Sequence, residues 1–289
     1  MQAAKTRIAA VLTCHNRRDK TLACLKDLLS QSGAAASIEV FLVDDGSTDG
    51  TSAEVAARYP SVHLIQGDGS LYWTGGMRMA MEAASVEPFD FYWWINDDTR
   101  LYADAIGRLL QTHSALSAFQ DRPLIVVGSL RDPETGEFTY GGSIRTSRWH
   151  PLRFQKVAPT SESRKCDVFN ANCVLLPRAA VEMIGNLHPR LIHAAGDYEY
   201  GLRAEKRGIS RWIAPGFFGE CQTNSLRDTW MDLTLPLWTR YKMLFSVKGQ
   251  PLVPRLIYYF NYGGRFWFAL YPLVYFRPVA ASLKKIFSS

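Results

Sequence analysis

IEVFLVDDGSTDGTSAEVAARY, residues 38–59, decides the architecture of this 289-residue chain. Ile38–Val43 is an apolar run of strand length interrupted only by Glu39, the pattern of a buried strand. Asp44–Gly50 is turn chemistry, and Ser52–Tyr59 reads as a short helix. A buried strand, a polar turn and a helix form one step of an alternating strand–helix chain.

The same rhythm extends to both sides. Upstream, RIAAVLTC (7–14) is a first strand and KTLACLKDLLSQ (20–31) a helix with Leu22, Leu25 and Leu29 on one face. Downstream come VHLIQ (62–66), a helix opening at GGMRMAMEAAS (75–85), the strand FDFYWWI (89–95), the helix ADAIGRLLQTHSALSAF (103–119) and the strand LIVVGS (124–129). Strands separated by helices predict an α/β fold with a mostly parallel central sheet, flanking helices and right-handed crossovers. After residue 131 the pattern is less regular: FTYGGSI (138–144) reads as a hairpin arm, DVFNANCVLLP (167–177) as a strand, and DYEYGLRAEKRG (197–208) as a helix ended by Gly208. Lys5 and Arg7 ahead of the apolar run Ile8–Cys14 imitate a signal peptide, but no small-residue cleavage pattern follows, so the run is read as a strand.

Hydrophobic residues make up 47% of the chain and charged residues 21%, which is enough apolar material for a globular core. The net charge of +6 suits anionic partners such as nucleotide phosphates or anionic lipids. Nucleic acid is disfavoured, because the basic residues are scattered and no recognition module is present. Five cysteines (Cys14, Cys24, Cys166, Cys173 and Cys221) with no paired or zinc-like spacing read as reduced thiols of a cytoplasmic protein.

Ligands on such sheets bind beyond the carboxyl ends of the strands. Thr13, His15 and Asn16 follow the first strand, Asp44 and Asp45 the second, GDGSLYWTGG (67–76) the third, and Asn96-Asp97-Asp98 the fourth. Each is either ordinary turn chemistry or part of a site, and four on one edge favour a site. Carboxylates at a sheet edge suit Mg²⁺ or Mn²⁺ shared with substrate phosphates, or else cap the following helix, a task open also to Thr99 or Asp104. Asp197 and Glu199 open a late helix, where an acid either complements the dipole or serves as a general base. Asn170 and Asn172 read as acceptor contacts or as internally bonded strand residues, and His188 and His193 as loop histidines.

VLTCHNR (11–17), FLVDDGSTDGT (41–51), NDD (96–98) and GDYEYGLR (196–203), in this order and spacing, resemble family 2 glycosyltransferases of the GT-A fold, over roughly residues 7 to 225. GDGSLYWTGGMRMAM (67–81) further resembles a bacterial subgroup tied to cell-envelope polysaccharides, with rhamnosyltransferase-like members. The resemblance implies an inverting transfer from a UDP- or dTDP-sugar to a hydroxyl of a glycan or lipid-linked acceptor. It implies Thr13, His15 and Asp45 on the nucleobase and ribose, with Asn16 among the donor-binding residues. Asp97 lies near the ribose or diphosphate, Asp98 binds Mg²⁺ or Mn²⁺, and Asp68, Trp73, Gly75 and Gly76 shape the sugar pocket. It implies Asp197 as the catalytic base; Asn172 and Glu199 are the residues expected at the acceptor. Three positions depart from the family pattern: Asn96 stands at the first acid of the DxD-like motif, Gly196 where an acid usually precedes the base, and Cys221 in a late loop where many relatives carry His. A nucleotide-binding membrane scaffold without activity and a sugar nucleotidyltransferase are the alternatives; the second lacks a glycine-rich phosphate loop after the first strand.

Past residue 225 the composition changes, which divides the chain into a transferase domain (1–225) and a helical extension (226–289). Residues 256–276 are dense in aromatics, with Arg265 as the one charge. The segment nearly suits a spanning helix, but Gly263-Gly264-Arg265 and Pro272 favour an interfacial position at the inner face of the cytoplasmic membrane, with Arg255, Arg277, Lys284 and Lys285 toward anionic lipids. The other reading packs the aromatics on the catalytic domain or on a second subunit.

Overall fold

The computed structural model describes residues 5–32, 36–193 and 195–288. In chain order the first part runs β1 (Thr6–Cys14), α1 (Arg18–Leu29), β2 (Ala36–Asp44), α2 (Thr51–Arg58), β3 (His63–Gln66), α3 (Tyr72–Ala84), β4 (Phe91–Ile95), β5 (Arg100–Leu101), α4 (Ala105–Ser117) and β6 (Leu124–Arg131). Then follow β7 (Phe138–Tyr140), β8 (Gly142–Arg145), β9 (Phe154–Lys156), β10 (Arg164–Cys166), β11 (Val168–Phe169), β12 (Cys173–Pro177), α5 (Arg178–Ile184), α6 (Gly196–Lys206) and β13 (Ser210–Glu220). The extension adds α7 (Leu237–Leu244), α8 (Leu252–Tyr262) and α9 (Trp267–Ser288).

The central sheet has the order β10-β13-β6-β12-β4-β1-β2-β3. β3, β2, β1 and β4 are parallel neighbours, as the alternation predicts. β12 interrupts that pattern: it lies antiparallel between β4 and β6, so the sheet is mixed. The insertion has a functional consequence. With Cys173 opposite Ile95, the start of β12 lies on the edge where β1, β2 and β4 end. The chain between β11 and β12, Asn170–Asn172, arrives there with it.

Side chains alternate across the sheet with period two. Ile8, Ala10 and Leu12 face a core layer with Leu22, Leu25 and Leu28 of α1 and Leu109 of α4. Ala9 and Val11 face the opposite layer with Met77 and Met81 of α3 and Tyr200 of α6. Leu28 is buried, whereas Leu29, assigned to the inner face from its spacing, is 39% exposed. The residues expected to form a hairpin separate: β7 pairs with β6, and β8 leaves to pair with β9 and β11. Gly141 and Gly142 permit this because the chain crosses the sheet there in close contact. A Cβ on Gly142 would lie 2.5 Å from Ile213 Cγ1.

The extension is strapped to the catalytic body. Tyr258, Tyr259 and Val274 are buried with Val168 and Leu202 in a third apolar cluster. Tyr262 Oη donates to Glu199 Oε1 at 2.7 Å, and Lys206 Nζ donates to the Asn261 carbonyl at 3.0 Å. The opposite face of the strap carries Leu252, Val253, Phe260, Phe268, Leu273 and Phe276, all more than half exposed.

Candidate active site

A cavity of about 550 Å³ opens at the sheet edge formed by the ends of β1, β2 and β4. Thr13, His15, Asp45, Trp73, Asp97, Asp98, Asn172 and Asp197 of the sequence-derived set line it together.

Asp45 organises one wall. Its Oδ1 accepts from the backbone amides of Gly69 (2.9 Å) and Leu71 (3.2 Å), and its Oδ2 from Tyr72 (2.8 Å). The β3–α3 loop is thereby wrapped around a buried carboxylate, which leaves the ring of Tyr72 on the cavity wall. Gly46, with φ of 69°, makes this approach possible: a Cβ there would lie 2.8 Å from Gly69 N. The His15 imidazole Nδ1 meets the Asp45 carbonyl at 2.5 Å, tying the ends of β1 and β2 together.

Arg17 bridges the acids after β4. Its Nη1 lies 3.2 Å from Asp97 Oδ1 and 3.0 Å from Asp98 Oδ2. Burial pushes the Asp97 carboxyl up to about 7, the charge of Asp98 adds to this, and Arg17 opposes it. Asn96, in the first acid position, is engaged elsewhere: its Oδ1 accepts from Trp73 Nε1 at 2.9 Å. An aspartate would leave a carboxylate there, whereas the amide oxygen satisfies the indole without adding charge. Cys221 occupies the late-loop position, with Sγ 3.5 Å from Asp98 Oδ1. Burial first, and then the Asp98 charge, push the thiol up to about 12, so it stays protonated and donates to Asp98. This cluster does not cap α4, whose N-cap position is Asp104, with no side-chain capping bond.

Among the described residues no group of three or more His, Cys, Asp or Glu is set to hold a metal. The two carboxylates nevertheless flank one cation position, now taken by Arg17, and Asp97 Oδ2 is buried without a hydrogen-bond partner. Hard oxygen donors in this number fit a Mg²⁺- or Mn²⁺-type ion that completes its shell with substrate phosphate and water, once Arg17 withdraws.

Asp197 sits in the first turn of α6. Its Oδ1 accepts from the Tyr198 amide at 2.8 Å. Burial pushes its carboxyl up to about 6, against hydrogen bonds from Tyr198, Ala171 and Asn170. The buried Asn170 Oδ1 beside it has no partner. Gly196, where an acid is usual, is explained by packing: a Cβ would lie 2.5 Å from Thr74 Oγ1. Thr74 also holds the loop before α6, donating from its amide to the Ile192 carbonyl (3.0 Å) and from its hydroxyl to the His193 carbonyl (3.2 Å).

Five residues from the sequence-derived set lie off the cavity wall. Asn16 locks the turn after β1 to the turn after β2, its Oδ1 accepting from the Thr48 amide at 2.7 Å. Asp68 is exposed and closes a local turn, accepting from the Ser70 amide at 2.9 Å and the Ser70 hydroxyl at 2.6 Å. Gly76 lets α3 approach β1, where a Cβ would lie 2.1 Å from Thr13 Oγ1, while a Cβ on Gly75 would lie 3.3 Å from Leu71 Cβ at the start of its own helix. Glu199 is buried, paired with Arg203 at 3.0 Å and with Tyr262, so its carboxylate braces α6 rather than facing a ligand. Conversely, sequence reasoning missed Arg17, Tyr140, Asn224 and Lys248, which line the cavity. Arg17 lay inside a recognised motif, but Lys248 comes from the extension, and no local pattern marks it.

A cavity beyond the carboxyl ends of parallel strands, with two acids on one side and a further carboxylate across it, is where an α/β sheet of this kind binds its ligand. Residues 9–185 match the model of Glycosyl transferase family 2, and the chain belongs to that family: it is a glycosyltransferase of GT-A-like fold with a C-terminal helical extension. No curated protein sequence matches it.

Proposed function

We propose that the chain is an inverting glycosyltransferase in which Asp197 is the general base. The observation that carries this reading is the position of Asp197: its carboxyl, raised to about 6, faces the cavity that also holds Asp97, Asp98 and Arg17. Such a carboxylate is ionised at neutral pH yet basic enough to take a proton from an attacking hydroxyl. As the proton moves to Asp197, the acceptor oxygen bonds to the anomeric carbon, and the bond to the nucleoside diphosphate breaks in line, with inversion. Asn170 hydrogen-bonds the Asp197 carboxyl and so orients the base, and its unpartnered Oδ1 is placed to accept from a second hydroxyl of the acceptor. Arg17 and the exposed Lys248 on the same cavity wall meet the charge that develops on the leaving diphosphate. Asp98, with Asp97 beside it, would hold a divalent cation whose contribution is to neutralise that diphosphate.

The donor in this reading is a UDP- or dTDP-sugar, with dTDP-rhamnose suggested by the GDGSLYWTGGMRMAM resemblance. The acceptor is a glycan or lipid-linked glycan of a bacterial surface polysaccharide such as O-antigen, lipopolysaccharide or capsule. Residues 1–225 act as the transferase unit, and residues 226–289 as its membrane-facing strap, peripheral at the cytoplasmic face. The segment Gly264–Leu283 is long and apolar enough to cross a membrane, and 11% of it is buried. Two features favour lying on the surface over crossing it. Val274 is buried against the body, and the Tyr271 and Tyr275 hydroxyls donate to the Leu252 and Gln250 carbonyls, at 3.2 Å each. The side chains of Lys284 and Lys285 lie outside the described residues.

The experiment is a transfer assay with Asp197→Asn alongside a thermal-shift titration of UDP and dTDP. Lost transfer with a preserved nucleotide shift is the expected outcome, and normal turnover by the variant removes Asp197 from the mechanism. Co-sedimentation with anionic vesicles, lost on Phe268→Ser/Phe276→Ser, tests the strap.

A further inference from the structure

A second cavity, of about 500 Å³, lies against the same catalytic carboxyl. It shares Asn170, Ala195 and Asp197 with the donor cavity, so the two meet at the residue read as the base. Its remaining wall comes largely from the extension and from the segment before β9. Three arginines stand on it: Arg153, Arg255 and Arg277. Asp197 is the one carboxylate on the wall.

The arginines differ from their neighbours in having no counter-charge. Nearby Arg145 pairs with Glu205 at 2.9 Å and Arg203 with Glu199 at 3.0 Å, whereas among the described residues no ion pair is made by Arg153, Arg255 or Arg277. Arg255 is the most informative of the three. Its guanidinium lies 5.5 Å from the centre of the Tyr258 ring, and burial, then the charge of Arg277, act to lower its pKa. A half-buried cation without an anion is unfavourable, and a fold that keeps one beside two further, exposed cations has left a place for an anion. Guanidinium groups match phosphate oxygens in geometry and retain their charge at any physiological pH. The walls between them are Phe154, Tyr258, Tyr259 and Val274, an apolar and aromatic lining suited to a sugar ring or a prenyl-like chain.

Resting on the reading of Asp197 as base, we propose that this cavity is the acceptor site and that it recognises a phosphate or diphosphate group on the acceptor through Arg153, Arg255 and Arg277. The anion is fixed against the extension while the hydroxyl of the attached sugar reaches Asp197 and Asn170 at the junction. The donor diphosphate and the acceptor phosphate are thus handled by separate sets of cations, Arg17 and Lys248 on one side and the three arginines on the other.

The test first saturates the donor cavity with UDP or dTDP, whichever raises the melting temperature, and then titrates inorganic pyrophosphate to millimolar concentration. A further stabilisation by pyrophosphate is expected, with apparent affinity about tenfold weaker in Arg255→Gln and again in Arg277→Gln, while the nucleotide shift is unchanged. No further stabilisation of the wild type, or one insensitive to both substitutions, overturns the proposal. Where Arg255→Gln fails to fold, the exposed pair Arg153→Gln/Arg277→Gln carries the same comparison. Competition with pyrophosphate by geranyl diphosphate but not by glucose 1-phosphate assigns a lipid-linked phosphate, and the converse assigns a phosphorylated glycan. Competition by neither counts against an acceptor phosphate. Failure of every nucleotide to stabilise the protein is a separate result, which removes the donor-site reading itself.

Discussion

Tyr262 of the extension donates a 2.7 Å hydrogen bond to the buried carboxylate of Glu199, two residues along the helix from Asp197. The helix that carries the catalytic carboxyl is therefore held from behind by the segment that contacts the membrane in our reading. Tyr262→Phe removes a bond to a charged acceptor and is expected to lower unfolding free energy by about 1.5–3 kcal/mol. Glu199→Ala leaves Arg203 without its partner and costs more, about 3–5 kcal/mol. Urea unfolding of the two variants gives the ranking, and equal losses would contradict it.

The pH dependence follows from two raised carboxyls. If Asp197 is the base as proposed, it must be ionised to act, so turnover under saturating substrate should fall about tenfold per pH unit below about 6. Stability runs the other way. The folded state holds these protons more tightly than the unfolded chain, so the contribution is complete below the ordinary value of 3.8 and is lost as pH rises through about 6 for Asp197 and about 7 for Asp97. Asp197→Asn is therefore expected to be more stable than wild type at pH 8, by on the order of 2 kcal/mol, with the difference vanishing near pH 4. Melting curves across that range check the sign.

Arg17 holds the position between Asp97 and Asp98, and in the proposed reading a divalent ion competes with it there. Arg17→Ala should tighten Mn²⁺ binding about fivefold to tenfold at pH 8 and weaken UDP or dTDP binding in the presence of a chelator. Titration of Mn²⁺ by calorimetry separates these effects. Unchanged Mn²⁺ affinity would show that the guanidinium and the ion do not share the position.

Restoring the acid usual in the family is expected to harm this protein. Gly196→Asp drives a Cβ toward Thr74 Oγ1, where 2.5 Å separates them, and should cost about 1–3 kcal/mol and lower turnover. Gly196→Ala combined with Thr74→Ala should cost less than the two single changes added together, because the clash and its partner are removed at once. A strictly additive double variant in denaturant melts would place the cost elsewhere.

Lys248 reaches the donor cavity from beyond the family-matched segment. Lys248→Ala should weaken nucleoside diphosphate binding about fivefold, and nucleoside monophosphate binding less, because a single charge-assisted contact to the terminal phosphate is lost. Equal effects on both nucleotides would remove the lysine from the diphosphate.

Much of this protein is legible in local pattern. The stretch Val40–Val43, the turn after it and the repeats of that unit are local physics: apolar stretches must be buried on both faces, and helices with one apolar face must cover them. For the same reason the acids after β2 and β4 were found on one edge. Parallel strands joined by crossovers all end on the same side, so Asp45, Asp97 and Asp98 meet without any knowledge of distances. Asn96, Gly196 and Cys221 were visible only as departures from a pattern.

Tertiary structure alone decided the rest. Asn96 answers Trp73, Gly196 yields to Thr74, and Cys221 donates to Asp98, three pairings separated by 23, 122 and 123 residues along the chain. The antiparallel placement of β12 brings Asn170 and Asn172 to the catalytic edge, and no periodicity within ten residues specifies which neighbours a short apolar strand will take. Glu199 shows the limit most directly. An acid in the first turn of a helix has the same local signature whether it faces a ligand or an arginine of its own helix. Asp197 and Glu199 stand two residues apart, about 200° around the helix, so the packing of α6 against β11 and the extension turned one toward the cavities and the other into the protein.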